Sequence, residues 1–506
     1  MDFSMVLQVL QNIFSPAALY LLTLGMVVGV IFGIIPGLNG QIAVALLVPF
    51  TYGMTPENGL LMLGSIYMGA SYGGSVTAIL INIPGSGENA CTVLDGNPLA
   101  RMGRANEALT YSIVASCFGG VIGVIIMIFF TPVLARFALR FGPAEMFIVA
   151  IAGLVIVGSI LGKSPAKGFI AMGIGLLIAC VGQDSSSTSG LVRLTLGHPY
   201  LRGGLPQIPV MVGLFAVTEM LTVTMKQGKL AEGIQQRFTF IQGLKGLIRH
   251  WGVVLQSSII GIIIGVLPGT GGAIAAFMAY GAASRNKKSK DPTKFGEGNV
   301  AGVIAPELAN NVVVGGSFVP LLALGIPGSA TSAIIFGALL IHGLQPGGQL
   351  FVEHAALVNT FMFGMLVTIP LMLVMGLWGS KKIFSYILKV DVSYIIPVVL
   401  VLSVIGSYSA RNSMADVIIT LVTGFIGVFF KRAKIPIAPI IIGIILGPIV
   451  ETNFRRCIPI AMAADRNLFA YILFRPISIV TIVLLVLVLV TNFKGNLTQN
   501  NILKKA

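Results

Sequence analysis

The chain carries the same interrupted hydrophobic phrase twice. Residues 29–43 read GVIFGIIPGLNGQIA, and residues 261–275 read GIIIGVLPGTGGAIA. Laid side by side without a gap, Gly29/Gly261, Ile31/Ile263, Gly33/Gly265, Pro36/Pro268, Gly37/Gly269, Gly40/Gly272, Ile42/Ile274 and Ala43/Ala275 agree. A second shared phrase follows each copy. Gly73-Gly74-Ser75 leads to Ile83-Pro84-Gly85-Ser86, and Gly315-Gly316-Ser317 leads to Ile326-Pro327-Gly328-Ser329, with one extra residue in the later copy. Two phrases in one order in both halves mark an internal duplication. Each first phrase sets Pro-Gly inside an apolar run, where proline ends a helix. Irregular backbone at membrane depth survives only where it is buried in protein or lines a cavity. A turn outside the membrane would also fit one copy; the repetition favours a working break.

The runs so interrupted dominate the chain, of which 56% is apolar and only 10% charged. A span needs about 20 apolar residues, and roughly ten to twelve candidates fit along the chain. The runs do not alternate, which excludes a membrane barrel. The expected fold is an all-α polytopic membrane protein with two repeats containing broken or re-entrant helices. A net charge of +15 is read as Lys and Arg in cytoplasmic loops rather than as a nucleic-acid surface. Cys91, Cys117, Cys180 and Cys457 stand alone, which argues against a disulfide framework or a metal site. The N-terminus lacks the basic region of a cleaved signal, and the first Lys or Arg is Arg101. Insertion through uncleaved first spans is expected.

Taken in order, Ala17 to Ile35 carries Gly25, Gly29, Gly33 and Gly37 at a spacing that lets helices approach closely in lipid. Leu60 to Ile83 is apolar but interrupted by small and polar residues, suited either to packing or to a substrate. Gly85 to Glu107 reads as an ordered polar loop leading into a helix near Ala108. Spans follow at Leu109–Phe130, Ala144–Leu161 and Gly168–Val181, then a polar connection from Gln183 to Gln207. The division expected is a first repeat over 1–225, a basic cytoplasmic linker over 226–249, a second repeat core over 250–380 and C-terminal scaffold helices over 381–506. Glu307, Asn310 and Asn311 lie in a stretch without Lys or Arg from Phe295 to Ser380. An ionisable residue inside a membrane marks a site, unless Glu307 sits at a helix end in water.

Together these motifs resemble a known family. Gly33-Ile-Ile-Pro-Gly-Leu38, Tyr72-Gly-Gly-Ser75, Asn82-Ile-Pro-Gly85 and Asp95-Gly-Asn-Pro98-Leu-Ala100 carry the resemblance in the first half. Gly265-Val-Leu-Pro-Gly269, Phe295-Gly-Glu-Gly298, Ala305-Pro-Glu-Leu-Ala-Asn-Asn311 and Gly325-Ile-Pro-Gly-Ser329 carry it in the second. The chain resembles the large membrane subunit of the bacterial tripartite tricarboxylate transporters over nearly its whole length. One departure is Asn39-Gly40-Gln41, where a Gly-Gly pair is more usual. The resemblance implies a multi-pass secondary transporter of the bacterial inner membrane, not an enzyme. Its partners would be a small membrane subunit and a periplasmic solute-binding protein that delivers a small di- or tricarboxylate. Uptake would be driven by a sodium or proton gradient, with alternating access and no cofactor. No Gly-x-x-x-x-Gly-Lys-Ser/Thr occurs, in keeping with a process that hydrolyses no ATP. An intramembrane enzyme or a channel are the alternatives.

A carboxylate held without Lys or Arg must rest on helix N-termini, which offer free N–H groups and about half a positive charge each. The breaks after Pro36, Pro84, Pro268 and Pro327 would supply them. The expected substrate contacts are Asn39, Gly40, Ser75, Asn82, Gly85, Ser86, Thr270, Gly271, Ser317, Gly328 and Ser329. The expected cation contacts are Asn310 and Asn311, with Glu307 as proton or charge partner. The first break has no Lys or Arg on its flanks, whereas the second lies between Lys226–Arg249 and Arg285–Lys294. By the positive-inside rule the two enter from opposite sides, which makes the repeats inverted.

Overall fold

The computed structural model describes residues 3–160, 165–183, 192–222, 239–285, 292–379, 392–483 and 485–486. In chain order α1 (Phe3–Ile13), α2 (Pro16–Ile34), α3 (Gly40–Leu47), α4 (Pro56–Ile81), α5 (Val93–Leu99) and α6 (Ala105–Ala138) hold the first set of motifs. α7 (Pro143–Ile160), α8 (Pro165–Ala179), α9 (Gln207–Val212) and α10 (Thr218–Thr222) follow. The second set lies on α11 (Phe240–Arg249), α12 (Trp251–Val266), α13 (Gly271–Arg285), α14 (Val300–Gly316), α15 (Phe318–Leu324) and α16 (Ala330–Ile341). α17 (Leu350–Glu353), α18 (Ala355–Gly379), α19 (Val392–Arg411), α20 (Met414–Arg432), α21 (Ile437–Ala463) and α22 (Leu468–Leu473) complete the helices. Gly182–Gln183 and Val192–Arg193 form a small antiparallel pair, the one sheet among the described residues.

α4 and α14 form the centre: most of their residues are apolar or small, which suits an enclosed helix, and the polar ones on α14, Glu307, Asn310 and Asn311, are buried with them. α4 is buried from Gly59 to Ile81 and α14 along its entire length. α2 lies against α4 through its glycine ladder. A Cβ added at Gly25 would stand 2.5 Å from the Met62 carbonyl oxygen, and one at Gly33 2.6 Å from that of Ala70. Dispersion between close backbones replaces the hydrophobic effect that lipid cannot supply.

Both first breaks have the same construction. Ile35 and Leu267, each before a proline, are driven to extended backbone at φ −78° and −75°. Gly37 and Gly269 then turn through left-handed φ of 89° and 72°. The second breaks match as well: Asn82 and Gly325 close α4 and α15 in left-handed conformations, φ 61° and 71°. Beyond them the Gly85 N–H donates to Gly74 O at 3.2 Å and the Gly328 N–H to Ser317 O at 3.3 Å. Gly33 faces Ala70 and Gly73, and Gly265 faces Val313 and Gly316. One register serves all these pairs, and it sets Gly73 opposite Gly316 and Gly74 opposite Ser317. The identity of letters had set Ser75 opposite Ser317. Close packing on the glycines of α2 and α12 fixes the register, and it is one residue away from the Gly-Gly-Ser match.

The repeats exchange elements in a matched way. α4 packs on α18 and α14 on α6, while α6 and α18 meet each other. α3 packs on α16, and α13 on the one-turn helix Gly87–Asn89. Such reciprocal exchange is what a two-fold relation produces.

Among the described residues seven helices are long and apolar enough to cross a membrane, or eight if α11 and α12, bent by 84°, are one span. The expected spans Ala144–Leu161 and Gly168–Val181 are shorter apolar helices, Pro143–Ser159 and Pro165–Ala179, as are Gly40–Gly53, Gln207–Thr222 and Ala330–Ile341. Gly85 to Glu107 is the expected loop only as far as Thr92: α5 starts at Val93 and α6 at Ala105. Its polar groups are spent inside the protein. Asn97 Nδ2 donates to Ile79 O at 2.9 Å, and Asp95 Oδ1 accepts the N–H groups of Gly296, Gly298 and Asn299 at 2.8–2.9 Å. Asp95 thus ties the Asp-Gly-Asn-Pro phrase of one repeat to the Phe-Gly-Glu-Gly phrase of the other.

Residues 226–238 of the basic linker, with Lys226, Lys229 and Arg237, lie outside the described residues, as do Lys287, Lys288 and Lys290. The rest of the linker is α11, which opens with a capping box of Thr239 and Gln242 and buries Gly243, Gly246 and Leu247 against α6.

Candidate functional site

All four breaks open onto one cavity of about 140 Å³. From the first repeat it is lined by Asn39, Gly40 and Gln41 at the start of α3, by Tyr67, Ala70 and Ser71 on α4, and by Ser86, Gly87 and Glu88. From the second come Gly269, Thr270, Gly271, Gly272 and Ala273 at the start of α13, and Ser329, Ala330 and Thr331 at the start of α16. Three helix N-termini from two repeats thus converge without a Lys or Arg among the lining residues.

Local chemistry explains the convergence. The Ile42 N–H donates to Asn39 Oδ1 at 3.0 Å, so Asn39 caps α3. Ser329 accepts from the Ser332 N–H at 3.1 Å while Ser332 Oγ accepts from the Ser329 N–H at 2.8 Å, a reciprocal cap for α16. Thr270 Oγ1 instead donates back to Ile264 O and Leu267 O, at 2.5 and 2.9 Å, and so tightens the turn before α13. Tyr67 OH donates to Ser329 Oγ at 3.1 Å and joins the repeats across the cavity. The Gly269 N–H donates to Pro327 O at 3.1 Å, which fastens the two breaks of the second repeat to each other. Each cap satisfies some of the four free N–H groups of a helix start and leaves others for a ligand.

Of the expected substrate contacts, Asn39, Gly40, Ser86, Thr270, Gly271 and Ser329 line this cavity. Gly85 and Gly328 sit behind it in backbone packing, the latter against Ser317. Asn82 forms the left-handed end of α4. Ser317 Oγ donates to Val314 O at 3.1 Å. Ser75 donates to Tyr72 O and shares a 2.7 Å hydrogen bond with Ser112. Sequence reasoning did not name Tyr67, Gly272, Thr331 and Glu88 as contacts; Ser71 it placed only in the polar strip of Leu60 to Ile83, and Gln41 only in the departure at Asn39-Gly40-Gln41. Glu88 had a readable signal, a carboxylate four residues after Pro84 in a stretch free of basic residues.

Glu307 is 1% exposed, and its carboxylate accepts from Thr92 Oγ1 and, at 3.1 Å, from Ser116 Oγ. Asn311 Nδ2 donates to Glu307 O at 2.9 Å, and the Asn311 Cβ faces Gly119 of α6. Asn310 turns the other way, to Gly272 of α13, and neither of its amide atoms has a hydrogen-bond partner. No group of three or more His, Cys, Asp or Glu suited to a metal occurs among the described residues. A larger groove of about 400 Å³ lies between α7, α8 and α21, but its lining is apolar apart from Cys180 and Glu451, and Glu451 is paired with Arg193 at 2.6 Å. It offers an anion nothing.

Comparison with known proteins agrees with this architecture. Residues 19–442 match the Tripartite tricarboxylate transporter TctA family. An Agrobacterium vitis protein described as "Uncharacterized 52.8 kDa protein in TAR-I ttuC' 3'region" is 34% identical over 456 residues, 89% of each chain. Another from the same organism, "Uncharacterized protein in TAR-II ttuC' 3'region", is 34% identical over 206 residues, 40% of this chain and 82% of its own. No solved structure matches. A polytopic helical protein with two copies of one broken-helix unit, matched to this family over most of its length, belongs to the TctA family of tripartite tricarboxylate transporters.

Proposed function

We propose that this chain is the translocating subunit of a secondary importer for a small di- or tricarboxylate, and that the cavity between the four breaks is the substrate site. The observation that carries the reading is the convergence of the α3, α13 and α16 N-termini on a space lined by hydroxyls, amides and one carboxylate, Glu88, without Lys or Arg. Such a site holds an anion through N–H groups and helix dipoles and releases it more readily than a buried guanidinium pair would. A periplasmic binding protein delivers the carboxylate, a small membrane subunit completes the complex, and a sodium or proton gradient across the bacterial inner membrane drives uptake. The repeats are inverted, with residues 1–225 and 250–380 as the two units, 226–249 as cytoplasmic linker and 381–506 as scaffold. Alternating access then consists of one set of breaks moving against the other about the bound substrate. Asn310, Asn311 and Glu307 belong to the coupling-ion region beside it.

The test is uptake of radiolabelled succinate, malate, tartrate and citrate by proteoliposomes holding the chain with its small subunit and binding protein. Accumulation against a gradient, abolished by an ionophore that collapses the driving ion, is the expected result. Equilibration without accumulation would indicate a channel, and no uptake of any carboxylate would refute the reading.

A further inference from the structure

We infer that Glu88 and Asn310 together hold a sodium ion at the edge of the cavity, so that coupling cation and carboxylate share one site. The inference rests on the transport reading above and makes Glu88, rather than Glu307, the carboxylate that faces the cation.

Glu88 lines the cavity, and among the described residues no Lys, Arg or His forms an ion pair with it. Its carboxylate receives a weak hydrogen bond from Ser71 Oγ at 3.4 Å. Asn310 is 1% exposed, and its Oδ1 and Nδ2 are both unpartnered. Leaving a buried amide without a partner is destabilising, so Asn310 is built to meet something. Gly272 shows where. A Cβ added there would collide with Asn310 Oδ1 and stand 3.2 Å from Glu88 Cδ. Both polar groups therefore face one small space that glycine leaves open.

The donors meeting there are a carboxylate oxygen and an amide oxygen. Oxygen donors suit a hard cation, and no His or Cys takes part. Glu307 is differently placed, since hydroxyls of Thr92 and Ser116 already satisfy its carboxylate. The electrostatics favour the same assignment. A bare carboxylate in the cavity repels an incoming dianion, and a sodium ion on Glu88 cancels that repulsion. Cation and substrate then strengthen each other's binding by one common factor, as linkage requires.

The experiment uses the full chain in lipid nanodiscs and radioactive sodium alone as probe. Wild type is expected to bind sodium saturably. Glu88→Gln and Asn310→Ala should each weaken binding by about tenfold or more, a loss of ~1.4 kcal/mol. Gly272→Ala retains both Glu88 and Asn310 but its Cβ pushes the Asn310 amide out of the shared space, and it should weaken binding as much. Glu353→Gln, at an exposed position, should bind as wild type. Each variant is first shown to be monodisperse with an unchanged melting temperature; if Glu88→Gln fails this, Gly272→Ala decides. Absence of saturable sodium binding by wild type, which a protonated Glu88 would produce, overturns the inference. So does binding lost in Glu307→Gln and kept in Glu88→Gln and Gly272→Ala. No carboxylate enters this measurement, so its failure and the failure of carboxylate uptake are read separately.

Discussion

At the scale of single residues, the tightest constraints are steric and fall on glycines that touch backbone. A Cβ at Gly29 would collide with the Ile66 carbonyl oxygen, and main chain cannot swing aside as a side chain does. Gly29→Ala should cost about 1–3 kcal/mol, the usual range for overpacking. Gly252→Ala, with nothing within 4 Å of the added atom, should be neutral or slightly stabilising in its helix. Melting temperatures of the two variants in detergent check this contrast. Asp95 sets a second constraint. Asp95→Ala orphans three N–H groups of the Gly296–Asn299 turn, of which those of Gly298 and Asn299 are buried, a loss of about 2 kcal/mol or more. The expected sign is a lower melting temperature and faster proteolysis after Arg285, with Asp95→Asn intermediate.

At the scale of elements, helix starts do the work and their caps tune it. Asn39 both caps α3 and lines the cavity, and these roles separate on substitution. Asp caps a helix as well as Asn does, so Asn39→Asp should melt at the wild-type temperature. It also sets a negative charge where the substrate anion is proposed to bind. KM for uptake should rise by about tenfold or more, equivalent to ~1.4 kcal/mol, with expression unchanged. An unaltered KM would place the carboxylate away from α3. The breaks were legible in advance because Pro-Gly has few readings inside an apolar run. The helical character of Val93 to Ala105 was not, since Asp95 and Asn97 favour loops until partners elsewhere in the fold take their hydrogen bonds.

At the scale of the whole molecule, the reciprocal packing of α4 on α18 and α14 on α6 joins with the charge asymmetry of the flanks. A two-fold relation in the membrane plane predicts opposite entry of the two breaks. Asn58→Cys and Ser289→Cys, made where Cys91, Cys117, Cys180 and Cys457 have been replaced, are labelled with an impermeant thiol reagent in intact spheroplasts. Modification of the first alone is expected. Modification of both, or of Ser289→Cys alone, would exclude inverted repeats. Ser289 lies outside the described residues, so this measurement reads topology independently of the packing.

Class, duplication and the location of the breaks were determined by sequence alone, because each depends on local chemistry. Apolar run length sets the solvent, proline and glycine set where helices stop, and repetition of letters reports ancestry without any coordinates. The register of the repeats, the membership of the cavity and the partners of each acid were decided only by the tertiary structure. Ser75 and Ser86 read alike as hydroxyls beside glycines, yet one pairs with Ser112 in the core and the other borders the cavity. Glu307, the acid singled out in sequence, is enclosed by hydroxyls from α6 and the Thr92 turn, while Glu88, which was not, borders the cavity. Those differences depend on groups brought from distant parts of the chain, and no spacing within one segment encodes which of them arrives.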